Sequence, residues 1–408
     1  MPHKGYHPPN IILERYADVL VNFALGSGKG IKRGDVVYVQ ASEYAKRLYG
    51  EILRAVWKRG GHVIGRYLPD NESWFNFDSE FFKHADAHQI AHFPAKFSRG
   101  LIDEIDHSVY IDSETDKQSL RGVDPKKIME RGKAHKPALE WRDKKENLGQ
   151  FTWTMALYGT PAMAKEAKLR EKEYWHEIIN ACFLDKKDPV AEWKRVYRSL
   201  EGYRRRLSEL PIERMRIRGP DADLTITLGE KRRWMGGSGR NIPSFELFTS
   251  PDWRGTEGWI RFNQPLYHYG NLIQGVELEF RKGRVYRFSA RKGEKVLEAM
   301  LAVPNGDKVG EFSLTDNRFS RITKFMAETL YDENIGGPNG NTHIALGKAY
   351  HDCLKGNIKK MRRSDWQRLG FNDSSVHTDI ISTAPRKVTA FLRGGTSVEI
   401  YSNGRYTF

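Results

Sequence analysis

Thiols are scarce in this chain. It has two cysteines, Cys182 and Cys353, in 408 residues. Two cannot build a disulfide framework, and they are too far apart for a Cys-x-x-Cys metal knuckle, which fits a reducing compartment and an expected cytoplasmic location. No apolar run reaches the ~20 residues that a helix needs to cross a bilayer. The opening Met1-Pro2-His3-Lys4 and the polar residues after it lack the apolar core of a secretory signal. No membrane partner is therefore expected, and no internal repeat or low-complexity tract interrupts the chain. Acidic residues are in deficit, 52 against 67 lysines and arginines, for a formal charge of +15. The basic segments Lys165 to Lys172, Lys194 to Arg206 and Lys359 to Arg368 mostly carry interleaved acids at helical spacing. Solvated helix faces account for them without a nucleic-acid partner, and the charge serves solubility or draws in acidic peptides.

The length suffices for more than one core. In residues 11 to 25 the apolar positions Ile12, Tyr16, Val19, Leu20 and Phe23 recur at helical spacing. Val36-Val37-Tyr38-Val39 reads as a buried strand, Arg47 to Lys58 as an amphipathic helix closed by Gly60-Gly61, and His62 to Tyr67 as a second strand. That βαβ unit implies a parallel sheet, which Ser108 to Ile111 and Phe151 to Leu157 extend. Gly26-Ser27-Gly28-Lys29-Gly30 follows a helix rather than a strand and has Gly30 where a phosphate loop needs Ser or Thr, so it reads as a helix-ending turn. Tyr158 to Leu207 is helical. Past Pro211-Ile212 the texture turns to β: Leu224 to Leu228 alternates, Val276 to Phe280 and Arg284 to Phe288 form a hairpin across Lys282-Gly283, and Val388 to Tyr401 forms another. The expected fold is α/β: an N-terminal parallel-sheet domain over 1–212, then a β-rich α+β domain over 213–408.

The second half holds the residues with chemistry. Glu311 lies in Gly-Glu-Phe-Ser-Leu, a strand end that should open into a loop. Asp332-Glu333-Asn334 follows a periodic, helix-like segment from Ile322 to Leu330. After the turn-rich connector Gly336 to Asn341, Thr342 reads as the N-cap of a helix that sets His343 and Tyr350 on one face, two turns apart. His377 and Asp379 stand at i and i+2 in a β-branched segment, side by side on a strand. Singly, each has an ordinary explanation as a capping, packing or solvated residue. Together, imidazoles with carboxylates and no thiolate are the ligand set of zinc, cobalt, manganese or iron, with Glu246 available to join them.

These residues recur in a pattern: Asn241-Ile242-Pro243-x-x-Glu246-x-Phe-Thr-Ser-Pro, Glu311 in Gly-Glu-Phe, Glu333 in Leu-Tyr-Asp-Glu-Asn, His343 and Tyr350 in His-Ile-Ala-Leu-Gly-x-Ala-Tyr, and His377-x-Asp379. The order and wording resemble the thermophilic metallo-aminopeptidases of the aminopeptidase T, AmpS and PepS type, over nearly the whole chain. The resemblance implies that Glu246, Glu311, His343, His377 and Asp379 bind two divalent metal ions, zinc or cobalt first and manganese as the alternative. It sets Glu333 and Tyr350 in or beside that site, Glu333 as ligand or general base and Tyr350 as a hydrogen-bond donor. It further implies a homodimer acting on peptide substrates with a free N-terminus. The aromatic stretch Thr256 to Asn271, with Trp259, Phe262, Tyr267 and Tyr269, is where substrate preference is expected to differ from familiar members. A rival reading is a mononuclear iron ring-cleaving dioxygenase, similar in fold, which His343, His377 and Asp379 alone would build; Glu246 and Glu311 have no role there.

Overall fold

A computed structural model describes residues 5–71, 74–237, 239–268 and 270–408; Met1-Pro2-His3-Lys4 and Tyr269, named above, lie outside the described residues. The expected parallel sheet forms. Val36–Ser42, His62–Leu68, His107–Asp112 and Thr152–Leu157 run parallel, with the helices Asn10–Val19 and Lys46–Lys58 packed beside them. Val37, Val39 and Val109 are fully buried, as covering both faces of a parallel sheet requires. A fifth strand, Asn241–Ile242, arrives from the second half and pairs with Thr152–Leu157. The mixed α/β character expected from the sequence therefore holds, and the chain that leads to Glu246 starts inside the first sheet.

Two further sheets make up the second half. One has nine strands and contains both expected hairpins. At the first, Lys282 and Gly283 both take positive φ, 51° and 75°, the geometry that lets a tight turn follow the strand twist. The other has five strands, in the order His377–Ser382, Asn341–Gly347, Val309–Thr315, Glu246–Thr249 and Met235–Gly236. Its neighbours are antiparallel.

Three local expectations fail, each for a physical reason. His343 to Tyr350 was expected as a helix, but Asn341–Gly347 is a strand. It lies between two other strands and every residue of it, polar or apolar, is buried, so its sequence carries no alternation by which periodicity could separate strand from helix. Ile322 to Leu330 is not the expected helix either; only Thr329–Asp332 coils. Ala327 sits at φ 53°, and the Met326 and Glu328 amides donate to the Asp332 carboxylate at 2.7 and 2.9 Å, so side-chain acceptors replace the helical ones. Finally, Glu311 does not stand where a strand opens: it lies inside Val309–Thr315, just after a register shift at Gly310. A Cβ at Gly310 would meet the Lys348 carbonyl oxygen at 2.3 Å; the bulge exists because glycine allows that approach, and it re-aims the next side chain.

Gly26, Ser27, Gly28 and Gly30 all take positive φ, as the turn reading requires. The long helix Pro125–Asn147 has no counterpart in the sequence reading. Only Ile128 and Met129 of it are buried, so it carries almost no apolar stripe to detect.

Arg386 joins the nine-stranded sheet to the strand that carries His343. Its buried guanidinium donates to Asp221 at 2.9 and 3.1 Å, to Thr342 Oγ1 at 2.5 Å and to the Arg261 carbonyl at 2.8 Å. Replacing it strands a carboxylate and two acceptors. Urea denaturation of Arg386→Met should show a loss of about 3–5 kcal/mol, and a loss under 1 kcal/mol would mean that the sheets hold together without it.

Candidate active site

In an antiparallel sheet, residues directly opposite one another point to the same face. In the five-stranded sheet Glu311 lies opposite Ala345, which lies opposite Asp379; His343 lies between Ser313 and Ile381; His377 lies opposite Gly347; and Glu246 lies opposite Thr315. All five expected sheet residues therefore share one face. Ser313, Ala345 and Gly347 among them are small, so the larger side chains stand around a hollow. Glu333 reaches the same place from the end of the Thr329–Asp332 turn. Glu246, Glu311, Glu333, Tyr350, His377 and Asp379 line one small cavity of about 50 Å³.

The distances define the arrangement. His343 Nε2 lies 3.2 Å from Glu246 Oε2, 3.4 Å from Glu311 Oε1 and 3.8 Å from Asp379 Oδ1. His377 Nε2 lies 3.5 Å from Asp379 Oδ1 and 3.7 Å from Glu311 Oε2. Each oxygen of Glu311 thus faces a different imidazole. The other nitrogen of His377 is 2.8 Å from the Lys348 carbonyl; a carbonyl only accepts, so Nδ1 carries a proton and Nε2 is the nitrogen turned to the cluster.

Four carboxylates against two imidazoles in a buried place is an electrostatic conflict. Burial, with Glu246 and Asp379 nearby, pushes the Glu311 carboxyl up to about 7 against the pull of His343. Glu333 is pushed well above the usual carboxylate range by burial and by Glu246 and Asp379. Burial pulls the His343 imidazole down, but Glu246 and Glu311 outweigh it and raise it well above its ordinary value. His377 likewise rises to about 9 because Asp379 outweighs burial.

The residues fit divalent cations. His343 is 1% exposed, yet among the described residues neither ring nitrogen has a partner in hydrogen-bond geometry, a costly state for a buried polar group. Glu246, Glu311 and His343, and again Glu333, His343 and Asp379, offer ligand atoms within 4.8 Å of one another. The donors are nitrogen and oxygen only, the set that zinc, cobalt and manganese accept. Tyr350 flanks this group, its ring centroid 4.9 Å from that of His377.

Four supporting residues were not read from the sequence. Ser313 Oγ donates to Glu246 at 2.7 Å; its i+2 spacing from Glu311 on a strand was the available signal. Asn241 donates to Glu333 at 3.1 Å. His268 Nε2 lies 3.0 Å from Thr378 Oγ1, and burial draws its imidazole down to about 4. Arg240, buried in the cavity wall, donates to Glu146 at 3.0 Å and Asp352 at 2.6 Å and lies 5.4 Å over the Tyr350 ring. No pattern in the sequence marks it, since both of its carboxylates come from distant segments. Trp259, Phe262 and Tyr267 do not line the cavity; its aromatic wall includes Trp153 of the first half, and Tyr267 donates to Glu166 at 2.5 Å instead.

Comparison with known proteins spans nearly the whole chain. Aminopeptidase T of Thermus aquaticus is 31% identical over 319 residues, covering 72% of this chain and 75% of its own. Aminopeptidase 2 of Geobacillus stearothermophilus is 27% identical over 417 residues, covering 97% and 98%. Among solved structures, wild-type AmpT from Thermus thermophilus superposes with a TM-score of 0.77 at 23% identity, covering 97% of this chain and 99% of that one, which shows a common fold. The model of the thermophilic metalloprotease family M29 matches residues 10–406, and the chain belongs to that family.

Proposed function

We propose that this protein is a metallo-aminopeptidase that removes the first residue from peptides with a free N-terminus, using two divalent metal ions, zinc or cobalt. The observation that carries the two-ion reading is Glu311, whose Oε1 faces His343 and whose Oε2 faces His377. A carboxylate turned to two imidazoles suits a bridging ligand. Glu246 with His343 then serves one ion and Asp379 with His377 the other. A mononuclear iron site needs two histidines and one carboxylate and leaves Glu246, Glu311 and Glu333 without work in a buried place, which disfavours the dioxygenase reading.

When bound, the ions supply Lewis-acid polarisation of the scissile carbonyl and a water acidic enough to act as nucleophile near neutral pH. The chain's own residues do the rest. Burial and the Glu311 charge hold the Tyr350 phenol well above its ordinary range, so Tyr350 keeps its proton and donates a hydrogen bond to the oxyanion. Burial with Glu246 and Asp379 holds the Glu333 carboxyl above the usual carboxylate range; once the charge of bound cations offset those neighbours, Glu333 would ionise, take the proton from the nucleophile and deliver it to the leaving amine. An exopeptidase needs a wall beyond the free amine, and the small volume of this cavity, about 50 Å³, leaves little room past the chain end. The same reading carries a cytoplasmic homodimer. No helix among the described residues is long and apolar enough to cross a membrane.

Elemental analysis of protein purified without added metal should find about two zinc or cobalt equivalents, with chelator-sensitive cleavage of aminoacyl chromogenic amides; one iron and no cleavage would move the protein to oxygenase chemistry. Glu311→Gln should abolish turnover and lower metal content, and retention of both would remove the bridging role. Ser313→Ala, which frees the Glu246 carboxylate, should weaken metal affinity by about 10- to 100-fold in a chelator titration. Glu333→Gln should keep both metals while losing at least about 100-fold in kcat; loss of a metal would make Glu333 a ligand instead.

A further inference from the structure

The metal-site cavity shares Trp153 and Arg240 with a larger cleft of about 680 Å³. Its volume is that of a small-ligand pocket, enough for a few residues of extended peptide. If the chain end sits at the carboxylate cluster, this cleft is where the rest of the peptide lies after the scissile bond.

The charges of the cleft wall are unequally satisfied. Each acid in it has a partner: Asp35 accepts from the Lys32 amide at 2.6 Å and pairs with His107 at 3.0 Å. Asp106 accepts from the Val36 amide at 2.9 Å, and Glu146 and Asp352 both hold Arg240. Four cations of the same wall differ. Among the described residues no carboxylate lies within ion-pair distance of Lys29, Lys32, Arg233 or Lys359. Arg233 spends its Nε on the Asp352 carbonyl at 2.6 Å, a neutral acceptor. Lys29 is exposed on the Gly26–Gly30 turn and Lys359 on the short 3-10 turn Ile358–Lys360, so two separate segments present ammonium groups to one cleft. The lysines and arginines of the wall, Lys29, Lys32, Arg233, Arg240 and Lys359, outnumber its four carboxylates by one, within a chain of formal charge +15.

We propose that this cleft selects short peptides carrying a carboxylate within a few residues after the scissile bond, which Lys29, Arg233 and Lys359 receive. The proposal rests on the aminopeptidase reading and names the substrate class within it. Two sources supply that carboxylate: the α-carboxylate of a di- or tripeptide, and an aspartate or glutamate side chain downstream of the cut.

The test measures kcat/KM for Leu-Gly-Gly, its C-terminal amide and the amide of Leu-Gly-Glu, at low and high salt, in the wild-type protein and in the double variant Lys29→Gln/Lys359→Gln. Both substituted lysines are exposed, so the variant should fold. The free acid should exceed the neutral amide by about fivefold, chiefly through KM, and added salt should narrow the gap. The double variant should bring the ratio close to one. Recovery of the advantage by the glutamyl amide would assign recognition to carboxylates in general, and no recovery would assign it to the α-carboxylate; either supports the proposal. Equal rates for all three peptides, or a ratio unchanged in the double variant, overturns it. Leucine para-nitroanilide, which has no chain beyond the scissile bond, separates the two readings: wild-type protein that does not cleave it fails as an aminopeptidase, whereas cleavage without the carboxylate preference fails only the cleft proposal.

Discussion

Mutual repulsion among carboxylates largely withdrawn from water governs the second half of this molecule. Glu246, Glu311, Glu333 and Asp379 crowd one buried hollow, where the low dielectric magnifies like-charge repulsion. Two imidazoles offset part of that charge and leave the rest unmet. A fold keeps such an arrangement only if its frame is stiff enough to prevent the groups from turning away. The five-stranded sheet supplies that stiffness: four adjacent strands fix five of the groups through backbone hydrogen bonds, and Ser313, Asn241 and the Lys348 carbonyl hold the orientation of individual side chains.

The frame extends beyond the sheet. Arg240 lies between Glu146 at the end of the long Pro125–Asn147 helix and Asp352 of the second half. Burial pulls its guanidinium down, but the two carboxylates outweigh that and keep it charged. The same helix makes ion pairs through Asp143 with Lys348 and through Lys136 with Asp373. A helix with almost no buried apolar face is thus held in place by charge across the rim of the cleft. Such pairs weaken in salt far more than the packed core does, so the rim is the part of the molecule most responsive to ionic conditions.

Much of this was legible in the sequence, and the failures are instructive. The parallel sheet was readable because its strands are short apolar runs separated by an amphipathic helix and glycine turns, signals that depend only on neighbours. His377 and Asp379 were correctly set side by side because period-2 geometry is local. His343 and Tyr350 were brought together through the wrong element: a central strand buried on both faces loses the alternation that marks a strand, and only its pairing with Val309–Thr315 and His377–Ser382 identifies it. Glu333 was expected at the end of a helix and stands after a single turn, because Asp332 takes up the amides that a longer helix would have used. Arg240 left no local trace, since its meaning lies in Glu146 and Asp352, each about a hundred residues away in the chain.

The short strand Asn241–Ile242 carries a consequence for cooperativity. It belongs by sequence to the half that holds the carboxylate cluster, yet it completes the parallel sheet of the other half, and Glu246 follows it after only a few residues. An isolated first half would leave Thr152–Leu157 as an open edge, a template for association with other chains. Conversely, any tilt of the parallel sheet against its neighbour pulls on the backbone that sets the Glu246 carboxylate. The two halves are therefore mechanically geared: neither melts nor shifts without disturbing the other, and the order of the metal-binding face reports on the integrity of a sheet that contributes none of its carboxylates or imidazoles.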